Sequence, residues 1–272
     1  MPRINAVSFR EYTHIESICR IVRSAGFDGL EVSRPPFYDR LTTPETRTAF
    51  LNWSRSIGLS LYGFDCWVEV EPFTAFDATL DEFQRAVDFA TALDLGLLIS
   101  HDTWAHTNGA RSPVDVLNTN VRLFRQVADL TAAAGLTLVF EPHPDTLSMD
   151  NAWCIDFCDA VADGRPSGSV GILFDTCHYG VGQPDTYLQA IEQLGTRIRH
   201  VHFSDGDCRT YALHLPLGDG CLDLAGATAA LKQVGFSGTL TCDMYNYPML
   251  EDGARRNVEP IQAVERELGL VS

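Results

Sequence analysis

Four short apolar runs in the second half of the chain each end in a residue that can bind a metal ion. The runs cover residues 136–143, 170–178, 198–205 and 239–246. Their metal-capable side chains are those of Glu141, Asp175, His202 and Asp243. In the first run, Leu138 and Phe140 have one parity and Glu141 has the other, and the remaining runs repeat this arrangement. A β-strand alternates its faces with a period of two, so each run predicts a strand with an apolar outer face and a ligand on its inner face.

Strand-like and helix-like stretches alternate along the whole chain. Four further strands are predicted ahead of these runs, at residues 4–9, 29–33, 60–66 and 95–101. Apolar residues at helical spacing predict helices at residues 14–25, 44–57, 80–93, 114–134, 152–162, 186–194, 224–234 and 253–268. No linker or low-complexity segment interrupts this series. Eight alternating units in 272 residues predict the α/β class and a single (β/α)8 barrel, or TIM barrel, as one domain over residues 1–272.

A doubly wound open sheet is the alternative fold for a chain that alternates in this way. Such a sheet usually carries a glycine-rich phosphate-binding loop after its first strand. Residues 9–13 read Phe-Arg-Glu-Tyr-Thr and contain no glycine. The barrel is therefore the favoured interpretation.

In a barrel the four metal-capable side chains come together, because TIM-barrel active sites lie at the carboxyl ends of the strands. The strands that carry them are neighbouring staves, so their side chains can converge. Three carboxylates and one imidazole suit Mn²⁺, Mg²⁺ or Co²⁺ better than Zn²⁺, whose structural sites are rich in cysteine and histidine. One carboxylate at a strand end is often only a helix cap, but three carboxylates and an imidazole on four successive strands predict a metal site.

The charge of the chain excludes one large class of partners. Asp and Glu number 36 against 20 Lys and Arg, a formal net charge of −16. Nucleic-acid binding depends on basic residues that neutralise phosphates, so none is expected. No apolar run approaches the roughly 20 residues of a membrane span, and the amino terminus does not read as a signal segment. We therefore expect a cytoplasmic protein that binds neither nucleic acid nor membranes.

Eight cysteines are many for such a chain, but none forms a Cys-x-x-Cys pair. Cys154 and Cys158 stand four residues apart on a predicted helix, where core packing is expected. The thiols near predicted strand ends, Cys66, Cys177, Cys208 and Cys242, are expected to be reduced and buried.

Several phrases in the second half of the chain carry a resemblance to a known family. They are Val-Phe-Glu141, Phe-Asp175-Thr-Cys-His178, Val-His202-Phe-Ser-Asp205 followed by Arg209, Leu-Gly218-Asp-Gly220, and the carboxylate of Asp243. The chain resembles the sugar isomerases and epimerases of the xylose-isomerase-like TIM barrels, which include D-tagatose and D-psicose 3-epimerases and inosose dehydratases.

The resemblance implies a site, a cofactor and a substrate class. It implies a divalent metal, Mn²⁺ in the first place, bound by Glu141, Asp175, His202 and Asp243. It also implies that His178 and Arg209 contact oxygens of a small carbohydrate-like substrate. Homodimers are common among the proteins that the chain resembles.

The chemistry implied is proton transfer next to a carbonyl. A metal chelated by a ketone and a neighbouring hydroxyl acidifies the adjacent C–H and stabilises an enediolate. Glu141 is predicted as the base and Asp243 as the opposing acid. The 3-epimerases carry Glu where this chain has Asp243, so the shorter side chain argues against symmetric epimerisation. The sequence predicts a metal-dependent isomerase or epimerase of a sugar, polyol or related hydroxy-ketone. The alternative is a lyase, either a dehydratase or a deglycosylating enzyme.

Polar residues at other strand ends are further candidates for substrate contacts. Glu31 and Asp65 end the second and third predicted strands, and His101 ends the fourth. His143 lies two residues beyond Glu141 and therefore on the same side.

Two more histidines receive structural assignments. His200 shares the face of His202 but lies deeper, so it is expected to be a hydrogen-bonded residue of the barrel. His214 follows the seventh predicted strand, and a structural role in that loop is expected.

Overall fold

A closed barrel of eight parallel strands forms the centre of the computed structural model, which describes residues 2–12 and 14–271. The barrel strands β1 to β8 are, in chain order, Arg3–Asn5, Gly29–Ser33, Ser60–Asp65, Leu97–Ser100, Thr137–Phe140, Val170–Asp175, Ile198–Phe203 and Thr239–Cys242. Each strand pairs with the next along the chain, and β8 pairs with β1 to close the barrel. The predicted TIM barrel is confirmed.

Helices surround the barrel and alternate with its strands. The helices α1 to α10 are Ile15–Ala25, Phe37–Arg40, Pro44–Ser56, Phe76–Ala92, Pro113–Ala133, Asn151–Ala162, Thr176–Gly182, Tyr187–Leu194, Leu224–Gln233 and Leu250–Glu267. Local signals set their ends: Thr43 and Thr46 form a capping box ahead of α3, and Gly26 ends α1 with a φ of 110°.

The structure differs from the predicted elements at several places. The first strand stops at Asn5, whose side chain accepts a hydrogen bond from the backbone N–H of Val7 and starts a 3₁₀ turn over Ala6–Phe9. The third predicted helix, α4, begins at Phe76, four residues earlier than predicted. Two short helices, α2 and α7, were not predicted. Each has only about one or two turns, which is too short for a helical spacing of apolar residues to be recognised.

The outward and inward side chains of the barrel strands form two separate apolar cores. The outward residues Leu138, Phe140, Ile172, Phe174, Val201, Phe203, Leu240 and Cys242 all belong to the large core between barrel and helices. The inward residues Leu97, Ile99, Val139 and Leu173 form a small apolar core inside the barrel. Each fully buried side chain of this size contributes roughly 1.5–3 kcal/mol to folding. The inner core thus makes a dry floor beneath Glu141 and Asp175, which follow it along β5 and β6.

The loop after β7 folds back as an antiparallel ribbon, in which Asp205–Gly206 pairs with His214–Leu215. The buried carboxylate of Asp205 accepts hydrogen bonds from backbone N–H groups of four residues, at 2.9–3.1 Å. The donors are Gly206, Gly218, Gly220 and Leu222. A Cβ at Gly220 would lie 2.2 Å from Asp205 Oδ1, so this approach requires glycine. Asp205 therefore determines the path of the loop over the barrel mouth.

A disulfide between Cys208 and Cys221 closes the same loop, with the two Cα atoms 6.3 Å apart. The expectation of a reduced, buried thiol was wrong for Cys208, because the anchoring by Asp205 brings Cys221 back beside this exposed residue. The six other cysteines are free and buried, which confirms the expectation for Cys66, Cys177 and Cys242.

The described helices of the barrel do not have the features of membrane spans. Across residues 2–12 and 14–271, none combines the length and the apolar character that crossing a membrane needs.

Candidate metal centre

A cavity of 270 Å³ opens at the carboxyl ends of the barrel strands. Its walls carry carboxylates, imidazoles and aromatic rings: Val7, Asp65, Trp67, Trp104, Glu141, His143, His178, His202, Tyr211, Ala212, His214, Asp243 and Tyr245. The volume lies near the small end of the range for ligand pockets, about 300–1,000 Å³. The cavity can therefore accept a small polar molecule.

Three of the four predicted metal ligands lie close together, and two of them, Glu141 and His202, line this cavity. His202 Nδ1 lies 2.9 Å from Glu141 Oε1 and 3.7 Å from Asp175 Oδ2. Glu141, Asp175 and His202 each offer one ligand atom, and these atoms lie within 4.8 Å of one another. Asp175 Oδ2 is buried and has no hydrogen-bond partner. A carboxylate oxygen left bare beside an imidazole and a second carboxylate fits the coordination shell of a divalent cation.

Asp243, the fourth predicted ligand, lines the cavity from β8. Ser8 Oγ donates to Asp243 Oδ1 at 3.2 Å and in turn accepts from the backbone N–H of Met244 at 2.9 Å. Asp243 Oδ2 lies 3.1 Å from His214 Nδ1. Its carboxylate is thus oriented by the first turn of the chain and by the loop after β7.

Glu31 lies inside the barrel and orients the ring of His202 through a hydrogen bond. Glu31 Oε1 is 2.8 Å from His202 Nε2, and Oε2 is 2.7 Å from His200 Nε2. Burial works to raise the pKa of Glu31, but the charges and hydrogen bonds of His202 and His200 outweigh it and lower the pKa to about 2. Glu31 is therefore a buried carboxylate that holds an imidazole ring, and it is not among the residues that line the cavity.

His202 bonds a carboxylate at each ring nitrogen. Burial alone would lower its pKa, but Glu31 and Glu141 together raise the pKa well above its ordinary value. A metal ion at Nδ1 would take the place of one proton, while Nε2 keeps its hydrogen bond to Glu31, as in carboxylate–histidine–metal arrangements. His200 bonds Glu31 and Thr239 Oγ1 inside the barrel, which confirms it as a hydrogen-bonded barrel residue.

His143 and His178 line the cavity and pack against each other, with ring centroids 4.2 Å apart and the ring planes tilted by 42°. His143 Nε2 lies 3.4 Å from Glu141 Oε2, and His178 Nδ1 lies 3.8 Å from Glu141 Oε1. Burial and the neighbouring His143 lower the pKa of His178 well below its usual range. Its neutral ring can accept a hydrogen bond or bind a cation.

Asp65 lines the cavity from the end of β3. Its Oδ2 accepts hydrogen bonds from Trp67 Nε1 at 3.0 Å and from Asn5 Nδ2 at 3.4 Å. Burial, with the charges of Glu141 and Glu31, raises the pKa of Asp65 well above its ordinary value. The site thus contains an ionised carboxylate at Glu141 and a carboxyl group at Asp65 that tends to keep its proton.

Two predicted substrate contacts lie away from the cavity lining. His101 Nδ1 bonds the carbonyl of Asp102 at 2.7 Å, and its ring packs on Trp104 at 4.5 Å, so it supports the wall from behind. Arg209 is exposed in the disulfide-closed loop, where its backbone N–H donates to Asp207 at 2.9 Å.

The structure adds one polar residue to the site that sequence reasoning assigned to a structural role. His214 is buried, lines the cavity and approaches both Asp175 and Asp243. One feature of the sequence indicated that His214 could reach the site. It stands just before Gly218-Asp-Gly220, the segment that turns the loop back over the mouth of the barrel. The aromatic residues Trp104, Tyr211 and Tyr245 were also missed, since they lie in loops without periodicity.

Because Glu31 holds the ring of His202, a substitution of Glu31 should change metal affinity. In Glu31→Gln, His202 should keep a hydrogen-bond partner but lose its buried counter-charge. We expect Mn²⁺ affinity to fall about 10- to 100-fold, as outer partners of ligating histidines typically show. Calorimetric titration of the apoprotein measures this, with exposed Glu16→Gln as the control. Equal affinities in both variants would exclude Glu31 as an orienting residue.

The fold and the site together define a TIM barrel with a buried cluster of potential metal ligands at the carboxyl ends of its strands. The chain belongs to the xylose isomerase-like TIM barrel family, whose model matches residues 19–265.

Solved structures with this fold include enzymes of several reaction types. The IOLI protein with a bound zinc atom superposes with a TM-score of 0.81 at 13% identity, over 97% of this chain and 98% of that one. D-psicose 3-epimerase from Clostridium cellulolyticum, solved with D-tagatose, gives 0.75 at 16% identity over 98% and 96%. The probable 3-DHS dehydratase AsbF of Bacillus anthracis gives 0.77 at 14% identity over 96% and 98%. At these identities the likeness concerns the fold.

A curated relative, the uncharacterized protein MJ1311 of Methanocaldococcus jannaschii, is 21% identical over 169 residues. The match takes in 62% of this chain and 57% of the relative, so the chain spans little more than half the length of that protein.

Proposed function

We propose that this protein is a metal-dependent isomerase or epimerase of a sugar, polyol or related hydroxy-ketone. The observation that carries the proposal is the convergence of Glu141, Asp175 and His202 beside a small cavity at the carboxyl ends of the strands, where Asp175 Oδ2 has no hydrogen-bond partner. The epimerase neighbours support the substrate class. Mn²⁺ is the proposed ion because carboxylates dominate the ligand set, although the IOLI neighbour binds zinc.

Glu141, Asp175, His202 and Asp243 are the residues that would bind the ion. A divalent ion there would polarise the carbonyl and adjacent hydroxyl of the substrate and so acidify the neighbouring C–H. The side chains of the protein would transfer the protons and bind the substrate hydroxyls.

Glu141 is the proposed base. Burial acts to raise its pKa, but His202 and His143 lower the pKa well below the ordinary value, so the group is ready as a carboxylate. His143 Nε2 lies 3.4 Å from Glu141 Oε2. It can hydrogen-bond this carboxylate while Glu141 turns toward a substrate carbon. His178 and Asp65 flank Glu141 in the cavity and are placed to bond substrate hydroxyls. Trp67 and Trp104 line the same cavity, and each packs its ring 5.7 Å from that of His143.

Asp243 is the proposed second proton-transfer group. Its carboxylate is bound by Ser8 at 3.2 Å and faces His214 at 3.1 Å, so its reach is restricted by more than its shorter side chain. This restriction favours a one-sided reaction over symmetric epimerisation. It supports the second candidate function, a lyase that eliminates a group next to the carbonyl, a reaction class that the dehydratase neighbour also represents.

Proton NMR in deuterated water tests the proposal. The Mn²⁺-loaded protein is incubated with a panel of ketoses, inososes and keto-acids. Deuterium next to a carbonyl together with a new sugar would support the isomerase or epimerase assignment. Loss of water or of an aglycone would establish the lyase instead. Bound metal without any exchange or product would overturn the proposed substrate class.

A further inference from the structure

A second cavity, of 320 Å³, adjoins the 270 Å³ cavity of the metal site. Val7, Trp67 and Tyr245 line both cavities. The indole of Trp67 is fixed at this boundary, since its Nε1 donates to Asp65 Oδ2 at 3.0 Å and its ring packs on His143. A ligand bound at the strand ends can therefore extend from the metal-site cavity into the second one.

The two cavities differ in their charged groups. Carboxylates and histidines line the metal-site cavity, and no lysine or arginine among the described residues does so. The second cavity is lined by Arg10 and Arg34 and by one carboxylate, Glu11. The side chain of Glu11 is 85% exposed, whereas those of Arg10 and Arg34 are 34% and 32% exposed. Water therefore screens the carboxylate more than the two guanidinium groups, and the second cavity favours an anion.

Arg34 follows β2 directly and is held at the carboxyl end of the barrel. Its backbone N–H donates to the carbonyl oxygen of Asp65 at 3.0 Å, and its guanidinium lies 4.6 Å from the centroid of the Tyr38 ring. Its Nη1 lies 3.4 Å from Glu82 Oε2. Within residues 2–12 and 14–271, Nε and Nη2 make no hydrogen bond, so they are available to a ligand.

Arg10 reaches the same cavity from the turn after β1. Its guanidinium packs over the ring of Tyr245 at 4.5 Å and donates to the Tyr245 hydroxyl and, at 2.6 Å, to Asn246 Oδ1. Asn246 in turn donates to the carbonyl oxygen of Ala212 at 2.7 Å. These contacts fix Arg10 against the loops after β7 and β8. A guanidinium has more N–H groups than these contacts use, so Arg10 can also bind a ligand.

We propose that Arg10 and Arg34 form a binding subsite for an anionic oxygen group, a carboxylate or a phosphate, at the end of the substrate away from its carbonyl. Guanidinium groups suit such ligands because their paired N–H donors match two oxygens. The substrate is then an anionic hydroxy-ketone, either a keto-sugar acid or a ketose phosphate. The inference rests on the proposed function for the place of the carbonyl, but anion binding by the two arginines does not.

Calorimetric titration of the chelator-treated protein tests the subsite without turnover. The probes are D-fructose, D-fructuronate and D-fructose 6-phosphate, which differ only in the hydroxyl, carboxylate or phosphate group at the terminal carbon. We expect one of the anionic probes to bind about 10- to 100-fold more tightly than D-fructose, as hydrogen bonds to charged groups imply. The tighter anionic probe identifies the group as carboxylate or phosphate. Equal affinities for the three probes, or no binding of any, would overturn the subsite.

Substitution of the arginines makes the result specific. In Arg34→Gln, the preference for the anionic probe over D-fructose should fall by at least about 10-fold. Arg10→Gln should show the same loss and serves as the test if Arg34→Gln fails to fold. Arg255→Gln is the matched control, because Arg255 is exposed and lies 3.6 Å from a glutamate, Glu251, away from the cavity. An undiminished preference in the Arg10 and Arg34 variants would exclude both residues.

Deuterium exchange with the Mn²⁺-loaded protein separates this inference from the proposed function. Exchange in an anionic probe at a higher kcat/KM than in D-fructose would support both. Exchange in D-fructose at an equal or higher kcat/KM would overturn the subsite and leave the proposed function standing. Arginine-dependent anion binding, without exchange in these probes or in the panel of ketoses, inososes and keto-acids, would keep the subsite and overturn the proposed function.

Discussion

Glu141→Gln is expected to reduce exchange of substrate α-protons with deuterated water by at least about 100-fold, since a positioned general base contributes 10²–10⁴ to the rate. Glutamine keeps the size of the side chain and an oxygen that can accept from His202, so the ring should stay in place. What it loses is the basic carboxylate beside the substrate carbon. The measurement is proton NMR of any substrate that the wild-type enzyme exchanges.

Two further variants make this result specific. Exposed Glu192→Gln carries the same chemical change and should exchange at the wild-type rate. Asp243→Asn separates the two proposed reactions: in a one-sided elimination, exchange next to the carbonyl should persist while product formation slows. Undiminished exchange in Glu141→Gln would remove Glu141 as the base.

Asp175→Asn is expected to weaken metal binding by more than about 100-fold, a larger effect than the 10- to 100-fold typical of groups outside the coordination shell. Asp175 belongs to the group of potential ligands with Glu141 and His202, and its buried Oδ2 has no hydrogen-bond partner. Asparagine can still accept the hydrogen bond from the backbone N–H of His178, at 2.8 Å, that caps α7. The apoprotein should therefore fold with nearly unchanged stability.

A matched control for this variant lies one strand earlier. Asp150 caps α6 through a 2.9 Å hydrogen bond from the backbone N–H of Trp153 and is exposed. Asp150→Asn should retain wild-type metal content, measured by mass spectrometry beside thermal melts of both apoproteins. Equal metal content in Asp175→Asn and wild type would exclude Asp175 as a ligand.

The barrel and its two faces could be predicted because strand periodicity is a local property. Leu138 and Phe140 point outward and Glu141 inward whatever the rest of the chain does, provided the run is a strand. The same alternation on the neighbouring strands brings Asp175 and His202 to the same end of the barrel. Local patterns of a few residues were therefore enough to predict the fold and the residues that meet.

The roles of other polar residues depend on distances that no local pattern contains. Glu31 and His202 are 171 positions apart, and closure of the barrel makes Glu31 the partner of an imidazole where a substrate contact was expected. Arg209 and His214 lie five residues apart in one loop, yet one is exposed and the other buried at the site. Sequence spacing cannot separate such neighbours.

The sequence by itself determined the strand order, the inward parity and the set of carboxylates and imidazoles at the strand ends, because these follow from the period of the backbone. Only the tertiary structure decided which of those groups face the cavity, which pair beneath it and how His214 enters. The reason is that a loop path depends on long-range contacts. Here these are the four backbone hydrogen bonds to Asp205 and the disulfide at Cys208, which turn the loop after β7 over the mouth of the barrel.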